Sequence, residues 1–332
     1  MKTTTRTVFG VAMSFFVMTV GAQAREDVRV AGSSTVLPYS IIVAEEFGKA
    51  YGKVPIVESG GSSVGIKELC KGVGPNTIDI ANSSRPMKPT EVKVCNDNGV
   101  TPVEVRFGYD GIVFAIDGKA KNWNLTPKDV YLALSRNSTA KTWSQVNANL
   151  PDWNIVAYIP GEKHGTREVF EEKVMAVGCA EAGDKARFEA SGMSKKEVHQ
   201  SCIRVRKDGG AVDIDGDYTE TLARIEGNKT GVGVFGLSFY ENNRDKLRVA
   251  TMNGVVPSLE TISSGEYPVS RPLFFYVKKE HVGVVPGILD YVRFFISSRM
   301  IIDGPLVEYG LVPMSDDEHR KLIEDVNRAL TK

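Results

Sequence analysis

The segment Val28-Arg29-Val30-Ala31-Gly32-Ser33-Ser34-Thr35-Val36-Leu37-Pro38 sets the pattern of the chain. Residues 28–31 have strand character and run into a loop of glycine and hydroxyl residues. Pro38 suits a helix's first turn. Ile41, Ile42, Ala44, Phe47 and Tyr51 then recur at helical spacing until Gly52 stops the helix. The unit returns twice, without sequence repetition. Residues 54–57 lead into Gly60-Gly61-Ser62-Ser63-Val64-Gly65, with Ile66, Leu69 and Cys70 on the inner face of the next helix. Residues 78–81 lead into Asn82-Ser83-Ser84-Arg85-Pro86, and Pro89 begins a third helix carrying Val92 and Cys95. Residues 103–107 read as a fourth strand. Strand, loop and helix in this order predict an α/β fold with mainly parallel sheet. Ligands of such sheets bind beyond the carboxyl ends of the strands. Ser34, Ser62 and Ser84 are therefore expected on one rim.

The loops have a common chemistry. A helix start offers unpaired N–H groups and a partial positive charge, and neighbouring Ser and Thr hydroxyls extend that donor set. His164-Gly165-Thr166 is a further loop of this kind. Several such loops meeting at one point would hold a small oxyanion. Arg85 adds a cation whose planar fork suits a tetrahedral oxyanion. Each residue also has a plainer reading. Ser34 and Ser62 suit helix caps. Arg85 and Arg167 suit surface ion pairs. His164 either donates to an anion through one ring nitrogen, which would tie affinity to pH, or forms part of a cleft wall.

Residues 1–24 read as a secretory signal. Lys2 and Arg6 precede an apolar stretch, 8–20, broken only by Gly10, Ser14 and Thr19, and Ala22-Gln23-Ala24 has the form of a cleavage site. The stretch is too short to span a hydrocarbon core of ~30 Å comfortably. Cleavage after Ala24 and a periplasmic location are expected. The first cysteine is Cys70, so no lipid anchor is expected at that site. Removing Lys2 and Arg6 takes the chain from 41 basic and 41 acidic residues to 39 and 41, a net of −2. That balance excludes a strongly basic nucleic-acid surface. The pull on an anion must be local.

The remaining 308 of 332 residues suggest two domains. Gly108-Tyr109-Asp110-Gly111 interrupts two apolar runs, 103–107 and 112–116, and reads as the crossing between them. The expected division is 25–107 with 254–332 as a first lobe and 108–253 as a second. In the second, residues 155–159 and 232–236 read as strands and 167–177 as a helix, while 179–230 is irregular. The chain returns through a strand at 273–277 and a helix at 288–297, with 300–309 as the terminal packing element. Four cysteines admit three pairings. Neighbour pairing, Cys70–Cys95 and Cys179–Cys202, is expected because each bridge then lies within one domain.

No Gly-x-Ser-x-Gly elbow is present, and His164, His199, His281 and His319 form no evident triad or metal cluster in sequence. The cysteines lack the Cys-x-x-Cys spacing of a zinc site. Asp213-Ile214-Asp215-Gly216-Asp217 lacks the glycine and glutamate that complete a calcium loop, which leaves a solvated turn. No catalytic residue, metal or cofactor is expected.

The order of Ala31-Gly-Ser-Ser-Thr-Val36, Gly60–Gly65, Ser83-Ser-Arg-Pro86, Tyr109-Asp-Gly111, Gly165-Thr-Arg167 and Tyr267-Pro-Val-Ser-Arg-Pro-Leu-Phe-Phe-Tyr-Val277 resembles the phosphate-binding protein of high-affinity phosphate ABC importers. The resemblance implies a two-lobed periplasmic-binding-protein fold of type II, with two crossovers and hinge closure. It implies phosphate held by hydroxyls, amides and an arginine. Ser34 would supply a hydroxyl, Thr35 an amide or hydroxyl, and Ser62 the serine of the second loop. Gly165 and Thr166 match the end of the family's Ser-Gly-Thr motif. The chain departs from the pattern in three places. His164 replaces serine, Pro160-Gly161-Glu162 stands where an arginine is usual, and Ser84 stands where some members have a proton-accepting aspartate. Arg85 is then a candidate cation and Asp110 a candidate acceptor, with Arg167 a further contact. The implied partners are inorganic phosphate and a membrane permease, with a monomeric receptor. Another oxyanion (sulfate, molybdate or phosphonate), a secreted phosphatase-like hydrolase, or a scaffold that has lost its ligand stand as alternatives.

Overall fold

The computed structural model describes residues 25–331 other than Lys121, Lys163, His164, Gly216 and Asp217. The signal segment 1–24 and His164 lie outside the described residues. Nine strands form one continuous sheet: β1 (Arg29–Gly32), β2 (Ile56–Ser59), β3 (Ile80–Ser83), β4 (Pro102–Asp117), β5 (Ala157–Pro160), β6 (Ala211–Ile214), β7 (Val232–Gly236), β8 (Leu247–Val249) and β9 (Ser270–Lys278). Their order is β2-β1-β3-β9-β4-β7-β5-β6, with β8 also on β4. β2, β1 and β3 are parallel, as are β7, β5 and β6. The antiparallel pairings all involve β4 or β9, the strands that join the two parallel sets.

The helices that position the loops are α1 (Leu37–Tyr51), α2 (Ser62–Leu69), α3 (Pro89–Asp97), α4 (Gly165–Val169), α5 (Tyr218–Gly227), α6 (Ile288–Phe295) and α7 (Asp316–Leu330). α4 continues through a π-helix, Phe170–Met175, into Ala176–Glu181. Two glycines make the first half possible. Gly32 has φ +143°, and a Cβ there would lie 2.2 Å from the Asn82 carbonyl oxygen. A Cβ on Gly65 would lie 2.5 Å from the Gly32 Cα. The start of α2 thus rests directly on the end of β1, closer than any other residue type permits.

Three differences from the sequence reading have physical causes. Gly108–Gly111 does not break the strand. β4 runs unbroken for 16 residues and exchanges β9 for β7 between Gly111 and Ile112. Gly108 and Gly111 are there because Leu311 and Ile262 pack where their Cβ atoms would be, at 2.8 and 2.6 Å. The stretch 179–230 is ordered into the helices Asp184–Ala190, Lys195–Ile203 and α5 around β6. Its polar look arises because few of its helix residues are buried, Phe188 and Val198 among them. The chain ends on α7, not on 300–309. α7 buries only His319, Val326 and Leu330, and its Ser315–Glu318 capping box fixes its start.

Both expected disulfides are present, Cys70–Cys95 between α2 and α3 and Cys179–Cys202. Arg25 is fastened to the first half. Its guanidinium pairs with buried Asp79 and donates to the carbonyls of Pro75 and Thr77 at 3.0 and 2.7 Å. His281 Nδ1 stands 2.6 Å from Asp79 Oδ1, which Arg25 also contacts, and its Nε2 accepts from the Gly74 N–H, so Nδ1 carries the hydrogen that faces Asp79. No helix among the described residues is long and apolar enough to cross a membrane.

Candidate functional site

The three loops of the first half meet. Gly60 and Gly61 donate their N–H groups to the Gly32 carbonyl at 2.9 and 2.8 Å, which fixes the second loop on the first. Ser59 Oγ reaches Ser34 Oγ at 3.3 Å. Ser62 Oγ accepts from the Ser84 N–H at 3.1 Å and lies 3.2 Å from Ser84 Oγ. Neither Ser34 nor Ser62 acts as a side-chain helix cap: α1 begins after Val36 and α2 after Gly61, both without a side-chain cap. Ser33 Oγ instead accepts from the Val36 N–H at 3.4 Å. Among the described residues the N–H groups of Ser34, Thr35, Ser62 and Ser63 have no protein acceptor. They are left as open donors on this rim.

Arg85 is engaged elsewhere. Glu91 binds it through two oxygens at 2.9 and 2.8 Å, which holds the Glu91 carboxyl below its usual range, and Arg85 donates to Ser63 Oγ at 2.9 Å. In the second half, Gly165 opens α4, and Tyr218 on α5 donates to Thr166 Oγ1 at 3.1 Å. Arg167 turns away from the loops. It binds Glu171 at 2.7 Å, the Pro160 carbonyl at 2.9 Å, and Asp213.

Where the two halves face one another stands a group that the sequence reading missed. Arg271 on β9 is buried. It donates to Thr35 Oγ1 at 2.6 Å and to Glu172 at 2.7 Å, and lies 3.6 Å from Glu168 and 3.8 Å from Asp110. The Thr35 hydroxyl in turn donates a hydrogen bond to Glu168. The Thr35 hydroxyl is thus engaged on both sides, and its N–H is left open. Asp110 is 1% exposed, and among the described residues neither carboxylate oxygen has a hydrogen-bond partner; Arg271 Nε is also buried without an acceptor among them. Desolvation pushes the Asp110 carboxyl up to about 6, opposed by Arg271 and aided by Glu168. Orphaned buried groups of this kind are expensive unless a ligand satisfies them. Arg271 was legible as a charge inside the apolar strand 269–277, where burial demands a partner. Glu168 and Glu172 were legible as an i,i+4 pair on the helix following Thr166.

Two α/β halves joined by β4 and β9, with the hydroxyl loops between them, define a two-lobed binding-protein fold. The chain belongs to the PBP superfamily, whose domain model matches residues 19–299. Protein SphX of Synechococcus elongatus is 30% identical over 313 residues, covering 92% of this chain and 82% of the relative. A phosphate-binding protein PstS of Staphylococcus haemolyticus is 29% identical over 274 residues, covering 81% and 76%. A crystal structure of a "possible phosphate binding protein" from Planctomyces limnophilus matches with TM-score 0.70 at 24% identity, over 92% of this chain and 98% of the other. PstS from Borrelia burgdorferi matches with TM-score 0.58 at 21% identity, over 88% and 100%. The family resemblance carried by the loop motifs is borne out. The solved structures show the shared fold.

Proposed function

We propose that this chain is an extracytoplasmic solute-binding protein that captures inorganic phosphate between its two halves and delivers it to an ABC importer. The observation that carries the reading is the meeting of three hydroxyl loops, the first two with open N–H groups at Ser34, Thr35, Ser62 and Ser63, beside the buried and unsatisfied Asp110 carboxylate and Arg271 Nε. The names of the relatives point the same way. Phosphate would take the N–H groups of Ser34 and Thr35, the hydroxyls of Ser34, Ser62 and Ser84, and the Gly165–Thr166 turn. Arg271 Nε would donate to a phosphate oxygen, and Asp110 would accept a phosphate proton. Arg85 supports the set by holding Ser63, and His164, which precedes Gly165 in sequence, would add a ring N–H donor.

Hydrogen bonds to a charged group contribute ~1.5–3 kcal/mol each. Six at the upper value, about 18 kcal/mol, exceed a mid-range association cost of about 10 kcal/mol by about 8 kcal/mol, micromolar affinity. The lobes would be 25–107 with 254–332, and 108–253. The receptor would be monomeric and periplasmic after removal of 1–24, and its closed form would be what the permease reads. Calorimetry with phosphate, arsenate, sulfate and molybdate tests the reading. Tight phosphate binding supports it, and no heat at millimolar phosphate overturns it. Metal-independent cleavage of phosphate esters would favour a hydrolase instead.

A further inference from the structure

Among the described residues, the arginines on the loops and strands of the site are matched or outnumbered by carboxylates. Glu91 takes Arg85, Glu171 and Asp213 take Arg167, and Asp110, Glu168 and Glu172 surround Arg271. One guanidinium faces three acids, so with all of them ionised this wall carries a charge of about −2. A dianion meets repulsion here. Asp110 offers two buried oxygens with no donor, and Glu168 is held against the same guanidinium through Thr35. The wall therefore carries more negative than positive charge and has acceptors without donors to match them. The ligand that suits it has a single negative charge and more than one O–H group. A tetrahedral P–OH can donate to Asp110 while a P–O⁻ accepts from Arg271 Nε.

The geometry points to dihydrogen phosphate, the monoanion, as the species this site selects, with Glu168 as a specificity-determining residue beside Asp110. The inference rests on the phosphate reading above and narrows it. The remaining groups that face Asp110 and Arg271 do not reverse the balance. Tyr39 on α1, Tyr218 on α5 and Tyr309 are phenols whose ionisation burial pushes up, so they stay neutral and add no charge. Sulfate, which carries two charges and no proton at neutral pH, is rejected twice over. Sites built around a ligand O–H discriminate against its absence by roughly 10⁴-fold.

The experiment is calorimetry with inorganic phosphate from pH 5.5 to 8.5 in buffers of differing ionisation enthalpy. Above neutrality the affinity for total phosphate should weaken by about tenfold per pH unit, with uptake of close to one proton per ligand bound. Glu168→Gln should flatten that slope and strengthen binding at pH 8.5 relative to wild type. Glu172→Gln, on the same guanidinium, should do so more weakly. His164→Gln should change affinity but keep the slope. Affinity that is flat or rises with pH, or proton release on binding, overturns the selection while leaving the phosphate reading intact. A slope that disappears in His164→Gln assigns the proton to the imidazole and also overturns it. Absence of binding at every pH removes the phosphate reading and this inference with it.

Discussion

Asp110 and Arg271 are direct cross-strand partners on β4 and β9, and their charged groups lie 3.8 Å apart at Nε and Oδ2 without closing a hydrogen bond. Opposite charges in register usually support a sheet. Here the pair is buried where the two halves face each other, and part of its capacity is left open. An unsatisfied polar group in a dry site is a cost to the fold and a resource for a ligand.

That cost has a pH dependence. The Asp110 carboxyl titrates near 6 in the folded chain and at its ordinary value of 3.8 when unfolded. The folded state therefore holds its proton more tightly. Stability is lost as pH rises from about 4 to 6, and the full penalty, about 3 kcal/mol, is present above 6. Asp110→Asn should raise the unfolding temperature of the ligand-free protein by several degrees at pH 7.5 and leave it nearly unchanged at pH 4. It should also weaken phosphate binding. Calorimetric melts at the two pH values measure the first effect, and an equal shift at both would contradict it.

Arg271 and Arg85 should differ sharply. Arg271→Ala removes the donor to Thr35 and the open Nε, and should reduce phosphate affinity by at least a hundredfold, about 3 kcal/mol. Arg85→Ala loosens only the hold on Ser63 and should cost less than tenfold. Titration calorimetry of the two variants ranks them, and the reverse ranking would move the cationic contact to the third loop.

Ser62 and Ser84 are close enough that a charge on one is felt by the other. Ser62→Asp places a carboxylate on the proposed rim beside Ser84, whose hydroxyl lies 3.2 Å from that of Ser62, and should abolish phosphate binding. The fold should survive, because Ser62 is only half-buried and caps nothing. Unchanged affinity in a folded variant would displace the site from this rim.

Arg25 should matter for stability and not for the ligand. Removing one partner of a buried pair costs about 3–5 kcal/mol. Asp79 keeps His281 and the Arg29 N–H, so Arg25→Ala should fall at the lower end. The variant should melt several degrees lower and bind phosphate as wild type does. A melting temperature equal to wild type would show the contact to be without weight.

Most of the first half was legible because each strand, loop and helix there is signalled locally. Pro38 and Pro89 mark helix starts, and glycines mark the turns. The second half was harder. Its helices between residues 184 and 203 bury few side chains, so the apolar periodicity that betrays a helix is faint. β4 misled for the opposite reason. Gly108 and Gly111 are usual signs of a break, yet they serve the close approach of Leu311 and Ile262 from distant segments. The site divided in the same way. Ser34, Ser62, Ser84 and Thr166 announce themselves by their loops. Arg271 lies 236 residues from the Thr35 it contacts, and only the fold connects them.

The continuity of β4 restricts how the two halves can part. A loop hinge swivels freely because little binds it. Here the connection is the unbroken ribbon of β4, hydrogen-bonded to β9 up to Gly111 and to β7 from Ile112 onward. Opening must flex that ribbon like a leaf spring, with each degree of travel resisted and returned. Such a joint favours small, fast excursions about one rest angle over wide wandering, so an emptied receptor would stay close to the shape in which it must next meet its ion.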